Sequence, residues 1–393
     1  MFKQLTQAQL DPILSLSIAY RADDRADKMD LGIGVYKNSQ GETPIMQAVQ
    51  QAQQQVLATQ TTKSYVGLAG SEVFNQSMMD LLLSGTSAHS RAAAVQTPGA
   101  SGALRMLADL MHLAQPDTTV WLTNPSYVNH KPVMEAAGLT VKYYPYFDHA
   151  TKQVNSDAML AELAKAGPKD VVLLHGCCHN PTGADISFSD WQAITALANK
   201  NGFLPFVDIA YLGFGDGLEQ DGAGLKYMAD NVEEMIVAAS CSKNFGLYRE
   251  RTGAAIVISD SLPEAQKAKG RILQLARASY TMPPDHGAAL VATILTDDAL
   301  TATWKQELDQ MHKRLLSLRS GLTKAVRAQG SDAFNFIEQH KGMFSVTGLS
   351  PEQIERLRAE YGIYAVGDGR INIAGLQEQQ LDYLANALIT VTK

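Results

Sequence analysis

From about residue 90 the hydrophobic pattern of the chain repeats as strand, turn and helix. Short β-rich or apolar runs occur at 92–97 (AAAVQT), 119–123 (TVWLT), 141–146 (VKYYPY), 170–176 (DVVLLHG), 203–211 (FLPFVDIAY), 235–240 (MIVAAS) and 253–259 (GAAIVIS). Between several of them the apolar residues fall at helical spacing, as at Leu104, Leu107, Ala108 and Met111. Strands alternating with helices predict an α/β fold, a mostly parallel sheet with helices on both faces. One connection breaks this rule. Residues 241–252 are barely enough for a crossover helix, so the sheet is predicted to be mixed, with one antiparallel neighbour. Lys243 sits in that connection, and open α/β sheets bind ligands in the loops at strand C-terminal ends.

After about residue 300 the texture changes. A single long helix is predicted over 297–326, followed by strand-like pieces at 342–348, 364–366 and 370–375 and a final helix. This predicts a second, smaller α+β domain completed by part of the N-terminus. The expected division is an N-terminal arm at 1–12, a small domain formed by 13–44 with 303–393, and a large domain at 45–302.

Composition narrows the function classes. The chain is 46% hydrophobic and 19% charged with a net charge of −7, which suits a large core and gives no basic patch for nucleic acid. No stretch reaches the roughly 18 to 20 apolar residues of a membrane helix. The polar N-terminus lacks the apolar segment of a signal peptide. Three cysteines, two of them adjacent, give neither a disulfide framework nor spaced metal ligands. A reduced, cytoplasmic protein without a metal is expected.

Several strand ends carry polar groups out of keeping with apolar strands. The turn QTPGASG (96–102) opens a helix, and its backbone N–H groups with the Ser101 hydroxyl form a natural phosphate seat. Read alone, it is better taken as an ordinary strand–helix turn with Ser101 as cap. Ser240, Ser242 and Arg251 add hydroxyls and a guanidinium near another strand end, a donor set suited to a phosphate dianion. Asp208 lies in a run otherwise fit for burial, so it needs a partner, either an Arg or His of the fold or a bound cationic ring nitrogen. His179 and Asn180 end one strand, and Tyr127 and His130 another. LGIGVYK is only a G-x-G fragment, without the third glycine and helix of a dinucleotide site. A phosphate seat, a lysine, a carboxylate, an asparagine and a tyrosine at the ends of one sheet suit a phosphorylated cationic cofactor such as pyridoxal phosphate.

At these residues the chain resembles the class I aminotransferases, in the aspartate and aromatic amino acid branch. The resemblance runs from LGIGVYK through TTKSYVGLAG, HGCCHNPTG, DIAYLGF and CSKNFGLYRERTG to YAVGDGRINIAG. It implies the pyridoxal-phosphate-dependent transferase fold of the aspartate aminotransferase type, working as a homodimer with shared active sites. By motif, Lys243 resembles the Schiff-base lysine that then acts as base. Asp208 resembles the partner of the pyridinium nitrogen, with His130 supporting it, and Asn180 and Tyr211 the donors to the ring oxygen. Ser101, Ser240, Arg251 and the backbone of Ala100 resemble the phosphate ligands, joined by Tyr65 from the second subunit. Arg370, with the backbone around Gly34, resembles the site of the substrate α-carboxylate. Arg277 resembles the second subunit's arginine for a side-chain carboxylate.

Two positions depart from the family pattern. Tyr127 stands where tryptophan usually stacks on the cofactor ring, and Met282 where aspartate enzymes usually carry asparagine. Both loosen a strict dicarboxylate preference, whereas Val35, Lys37 and Thr43 resemble the aspartate-specific members. The implied function is transamination of aromatic and dicarboxylic amino acids with 2-oxoglutarate as acceptor, the alternative being a strict aspartate enzyme. A non-catalytic relative would be expected to lack Lys243 or Asp208, or to gain a basic segment. Neither applies.

Overall fold

The computed structural model of the chain describes residues 1–7 and 12–393. The expected arm over 1–12 therefore falls partly outside the described residues. All seven predicted runs are strands of one sheet: β1 (Ala92–Pro98), β2 (Thr119–Asn124), β3 (Thr140–Pro145), β4 (Asp170–His175), β5 (Leu204–Ile209), β6 (Met235–Ser240) and β7 (Thr252–Ile258). Their order is β1-β7-β6-β5-β4-β2-β3. Strands β6, β5, β4, β2 and β3 run parallel, while β7 is antiparallel to both β6 and β1. The sheet is mixed, as the short connection required.

Alternation along the strands sorts side chains between two cores. Val171, Leu173, Phe206, Ile236 and Ala238 face helix α1 (Gly99–Ala114), with Leu104, Leu107 and Met111. Val172, Leu174, Val207, Val237 and Ala239 face the opposite side. Two helices on that side are α2 (Phe188–Asn201) and α3 (Leu218–Asn231), which bring Ile194, Leu225 and Met228 to its core. The same parity sends His175, Asp208 and Ser240 to the α1 face. His175 and Asp208 are direct neighbours in the parallel register.

Helix α4 (Leu262–Ser279) leads toward the long helix α5 (Asp298–Ala328). Trp304, Leu308, Met311 and Leu315 of α5 belong to the core around the sheet. Leu318, Leu322 and Val326 belong to another core, with Met29, Leu31, Ile337, Ile371 and Leu388. One helix thus serves both cores. The strand-like pieces are shorter than predicted: β8 (Phe344–Val346) pairs antiparallel with β9 (Arg370–Asn372), and Ile363–Tyr364 pairs in parallel with Met29–Asp30. No helix among the described residues is long and apolar enough to cross a membrane.

Candidate active site

At the C-terminal ends of β4, β5 and β6 lies a cavity of about 190 Å³. It is lined by Lys243, Asp208, Tyr211, Asn180, Tyr127, Ser240, Ser242, Arg251, Ala100, Ser101 and Gly34, so one wall set gathers eleven of the candidate site positions singled out in the sequence. His130 stands just behind, and Arg370 reaches the rim through Asn180.

The lysine sits in a turn closed by Gly246 N–H donating to the Lys243 carbonyl at 3.1 Å. Its Nζ lies 4.9 Å from the centre of the Tyr211 ring. Burial pulls its pKa down to about 8, with Asp208 opposing the drop and Arg251 adding to it.

Asp208 is held from one side only. Burial would raise its pKa, but the hydrogen bond from His130 and the basic groups near it, Lys243 among them, hold the carboxyl below the ordinary range. His130 Nε2–H donates to Asp208 Oδ2 at 2.8 Å, and both residues are buried. Because a carboxylate only accepts, His130 must carry its proton on Nε2. Its Nδ1 pairs with the Ser126 hydroxyl at 2.9 Å. Ser126 Oγ in turn faces His175 Nε2 at 3.4 Å, and His175 Nδ1 accepts from Asn180 N–H. Burial and His130 pull the His175 pKa down to about 3, against Asp208, so the ring is neutral. Asp208 Oδ1, by contrast, is buried with no hydrogen-bond partner.

The opposite end of the cavity is built by backbone. Helix α1 begins at Gly99 with no side chain capping its first N–H groups, and it starts beside Arg251. Two glycines make this possible. A Cβ on Gly99, whose φ is +70°, would stand 2.6 Å from Arg251 Nη2. A Cβ on Gly253 would stand 2.5 Å from the Gly99 carbonyl carbon. Arg251 Nη1 donates to the Tyr248 carbonyl at 3.1 Å, leaving the rest of the guanidinium beside the helix start. Helix dipole, free N–H groups and guanidinium together make an anion seat.

On the rim, Arg370 is buried. Its Nη1 donates to Asn180 Oδ1 at 3.2 Å and its Nη2 to the Gly32 carbonyl at 3.0 Å. Its guanidinium lies over the Phe344 ring, 4.5 Å from the centre.

Three positions lie outside this cavity. Tyr65 is 89% exposed, and Arg277 is exposed in the last turn of α4. Met282 is half-buried, and its sulfur accepts from Val66 N–H at 3.1 Å. Met282 therefore holds the backbone beside Tyr65.

Sequence reasoning missed His175 and Tyr248, which line the cavity, and Phe344. Parity could have found His175, since it ends β4 on the face that Asp208 occupies. Tyr248 donates no pattern of that kind: its hydroxyl accepts from Tyr36 N–H at 3.0 Å, a contact across 212 residues. Against the cavity wall, which includes Cys177, a cluster of Cys177, Cys178 and Asp221 gathers within 4.8 Å. Burial raises the Cys178 thiol well above its ordinary range, and the Asp221 carboxylate already accepts from the N–H groups of Gly213, Gly215 and Asp216. A protonated thiol and an occupied carboxylate serve packing.

Comparison with known proteins completes the picture. Residues 26–388 match the family model described as aminotransferase class I and II. The chain is 46% identical to an aromatic-amino-acid aminotransferase of Paracoccus denitrificans over 97% of both chains. It is 44% identical to an aspartate aminotransferase of Salmonella typhi over 100% of both. A solved aromatic-amino-acid aminotransferase from Burkholderia pseudomallei, described as covalently bound to pyridoxal phosphate, superposes with a TM-score of 0.97 at 39% identity, covering 100% of both chains.

Proposed function

Because this chain belongs to the class I and II aminotransferases, we propose that it transfers the amino group of aromatic and dicarboxylic L-amino acids to 2-oxo acids such as 2-oxoglutarate, with pyridoxal 5′-phosphate as cofactor. The observation that carries this reading is the buried, unpartnered Oδ1 of Asp208 on the wall that also bears Lys243. An orphaned carboxylate oxygen in a cavity is costly unless a ligand donates to it. A protonated pyridine nitrogen is such a donor. The open start of α1, with Ser101, Ser240 and Arg251, suits the phosphate at the other end, so the residues present fit the group.

Pyridoxal phosphate, when bound, supplies an electron sink for negative charge developing at the substrate α carbon. Asp208 Oδ1 would hold the proton on the ring nitrogen, while the His130 N–H keeps the carboxylate ionised and in place. Asn180 and Tyr211 would donate to the ring oxygen, and Tyr127 would cover the ring face. Lys243 Nζ, on the same cavity wall, would take the proton from the substrate α carbon. A pKa near 8 lets it work as acid and base close to neutrality. Arg370 binds the α-carboxylate, assisted by the backbone at Gly34.

Tyr65 and Arg277, which have no place in their own chain's cavity, complete the site of a second copy in a homodimer. The chain is read as a small domain (13–44 with 303–393) and a large one (45–302), with Trp304 to Leu315 of α5 packing against the core of the large one. The three buried free thiols suit the reducing cytoplasm.

Arg277→Leu tests the substrate assignment. Truncating one partner of a buried charge pair costs about 2–5 kcal/mol, so kcat/KM for aspartate should fall by about 30- to several-thousand-fold. Phenylalanine should be nearly unaffected or improved. Equal losses for both would mean that Arg277 does not select the side chain. No phenylalanine turnover by the parent protein would return it to the strict aspartate class, to which Val35, Lys37 and Thr43 point.

A further inference from the structure

We propose that Arg319 is a positioning residue for Arg370, acting through the segment 337–345 and the Phe344 ring. The inference rests on reading Arg370 as the carboxylate ligand.

Arg319 sits in α5 where the two cores meet and is 1% exposed. Its partners are not carboxylates. Nη1 donates to the Ile337 carbonyl at 2.9 Å and the Ser345 hydroxyl at 2.7 Å. Nη2 is shared among the carbonyls of Lys341 at 3.1 Å, Gly342 at 2.7 Å and Phe344 at 2.8 Å. A buried guanidinium without a counter-ion is a poor device for stability alone, because apolar residues of similar volume fill such a place at lower cost. What the guanidinium does here is collect one turn of chain into a fixed shape.

That turn touches Arg370 from two directions. Phe344 and Val346 flank the strand pairing that carries Arg370, with Val346 opposite Arg370 and Phe344 opposite Asn372. The Phe344 ring lies under the Arg370 guanidinium and edge-on to Tyr211, 5.9 Å between ring centres. On the other side, Lys341 N–H donates to the Gly183 carbonyl at 2.6 Å, tying the turn to the loop of Asn180, whose Oδ1 accepts from Arg370. Arg370's own hydrogen bonds leave its Nε without a partner. The plane of its guanidinium is therefore set by the two Nη hydrogen bonds together with the ring beneath it. Lysine cannot substitute for Arg319, because one ammonium has three donors on a single atom and cannot span these acceptors.

The test uses cofactor-loaded protein titrated with 3-phenylpropionate, a carboxylate with no amine to react, followed by visible absorbance. Arg319→Lys should raise its Kd by about ten- to a hundredfold, the range that a misplacement near 1 Å commonly costs. The ligand-free spectrum should stay that of the parent. Phe344→Leu should raise the Kd as well, and the double variant should be no worse than the weaker-binding single variant by more than about twofold. Full additivity, or a parental Kd for Arg319→Lys with only a lowered Tm, would overturn the proposal. Should Arg319→Lys not fold, Ser345→Ala removes one acceptor, and its Kd should rise about threefold; an unchanged Kd overturns it equally. Arg370→Leu separates the two readings. If it binds 3-phenylpropionate like the parent, the assignment of Arg370 fails; if it loses binding while Arg319→Lys does not, only the role of Arg319 fails.

Discussion

Asp208→Asn keeps the size of the side chain and its acceptor for His130, and removes only the charge. The Oδ2 side is already served by His130 at 2.8 Å, so the fold loses little. The Oδ1 side has no protein donor and stands at the cavity wall. Two opposite charges about 3 Å apart interact by about 5 kcal/mol at an effective dielectric near 20. Measured losses on truncating such pairs run at about 2–5 kcal/mol. The expected fall in kcat/KM is therefore about 30- to several-thousand-fold. Pyridoxal phosphate should remain bound, because Ser101, Ser240, Arg251 and the start of α1 are untouched. The assay is kcat/KM for aspartate with 2-oxoglutarate, alongside cofactor content after gel filtration and the visible spectrum. Activity within a few-fold of the parent, with cofactor bound, would mean that Asp208 is only an acceptor for His130, and the reasoning would be refuted.

Lys243, its pKa lowered to about 8 by burial, should be labelled by trinitrobenzenesulfonate in the cofactor-free protein with a rate rising through about pH 8; labelling that rises only near 10.5, as for a surface lysine, refutes the burial argument. If Tyr65 and Arg277 serve a neighbour, mixing inactive Lys243→Ala and Arg277→Ala homodimers should restore some aspartate activity through hybrids with one intact site, and a monomer by sedimentation would end that reading. His175 gives a pH prediction. Its folded pKa is depressed from 6.5 to about 3, so below pH 6.5 the unfolded chain takes up a proton that the folded one refuses. Stability is full above that pH and falls by up to about 1.4 kcal/mol per unit below it. His175→Asn should therefore flatten the decline of Tm between pH 6.5 and 4.5, and an unchanged slope would show that His175 does not titrate in this way.

Much of the architecture was legible in the chain because it depends on short-range chemistry. Apolar runs of strand length gave all seven strands, and the brevity of 241–252 required the antiparallel β7. Those same strand ends, with Gly99 and Arg251, located the anion seat and Lys243. Residue type alone also singled out Asp208, since a carboxylate inside an apolar run must be answered by something. That His130 answers it came only through the family resemblance, and the chain of groups behind His130 was not legible. His130, Ser126 and His175 form one hydrogen-bonded chain because parity and register bring the ends of β4 and β5 together on the α1 face and the segment after β2, the other neighbour of β4, lays Ser126 and His130 alongside.

Local sequence thus determined the elements, the face each strand end presents and the donor chemistry gathered there. Only the tertiary structure decided that Oδ1 of Asp208 is left without a partner, that Met282 spends its sulfur on Val66, and that Phe344 and Arg319 stand behind Arg370. Arg319 and Phe344 carry no periodic or motif signal, and the Tyr248 hydroxyl meets Tyr36 across 212 residues. Such contacts depend on how two cores close around one long helix, and a pattern with a period of two or 3.6 residues carries no information about that closure.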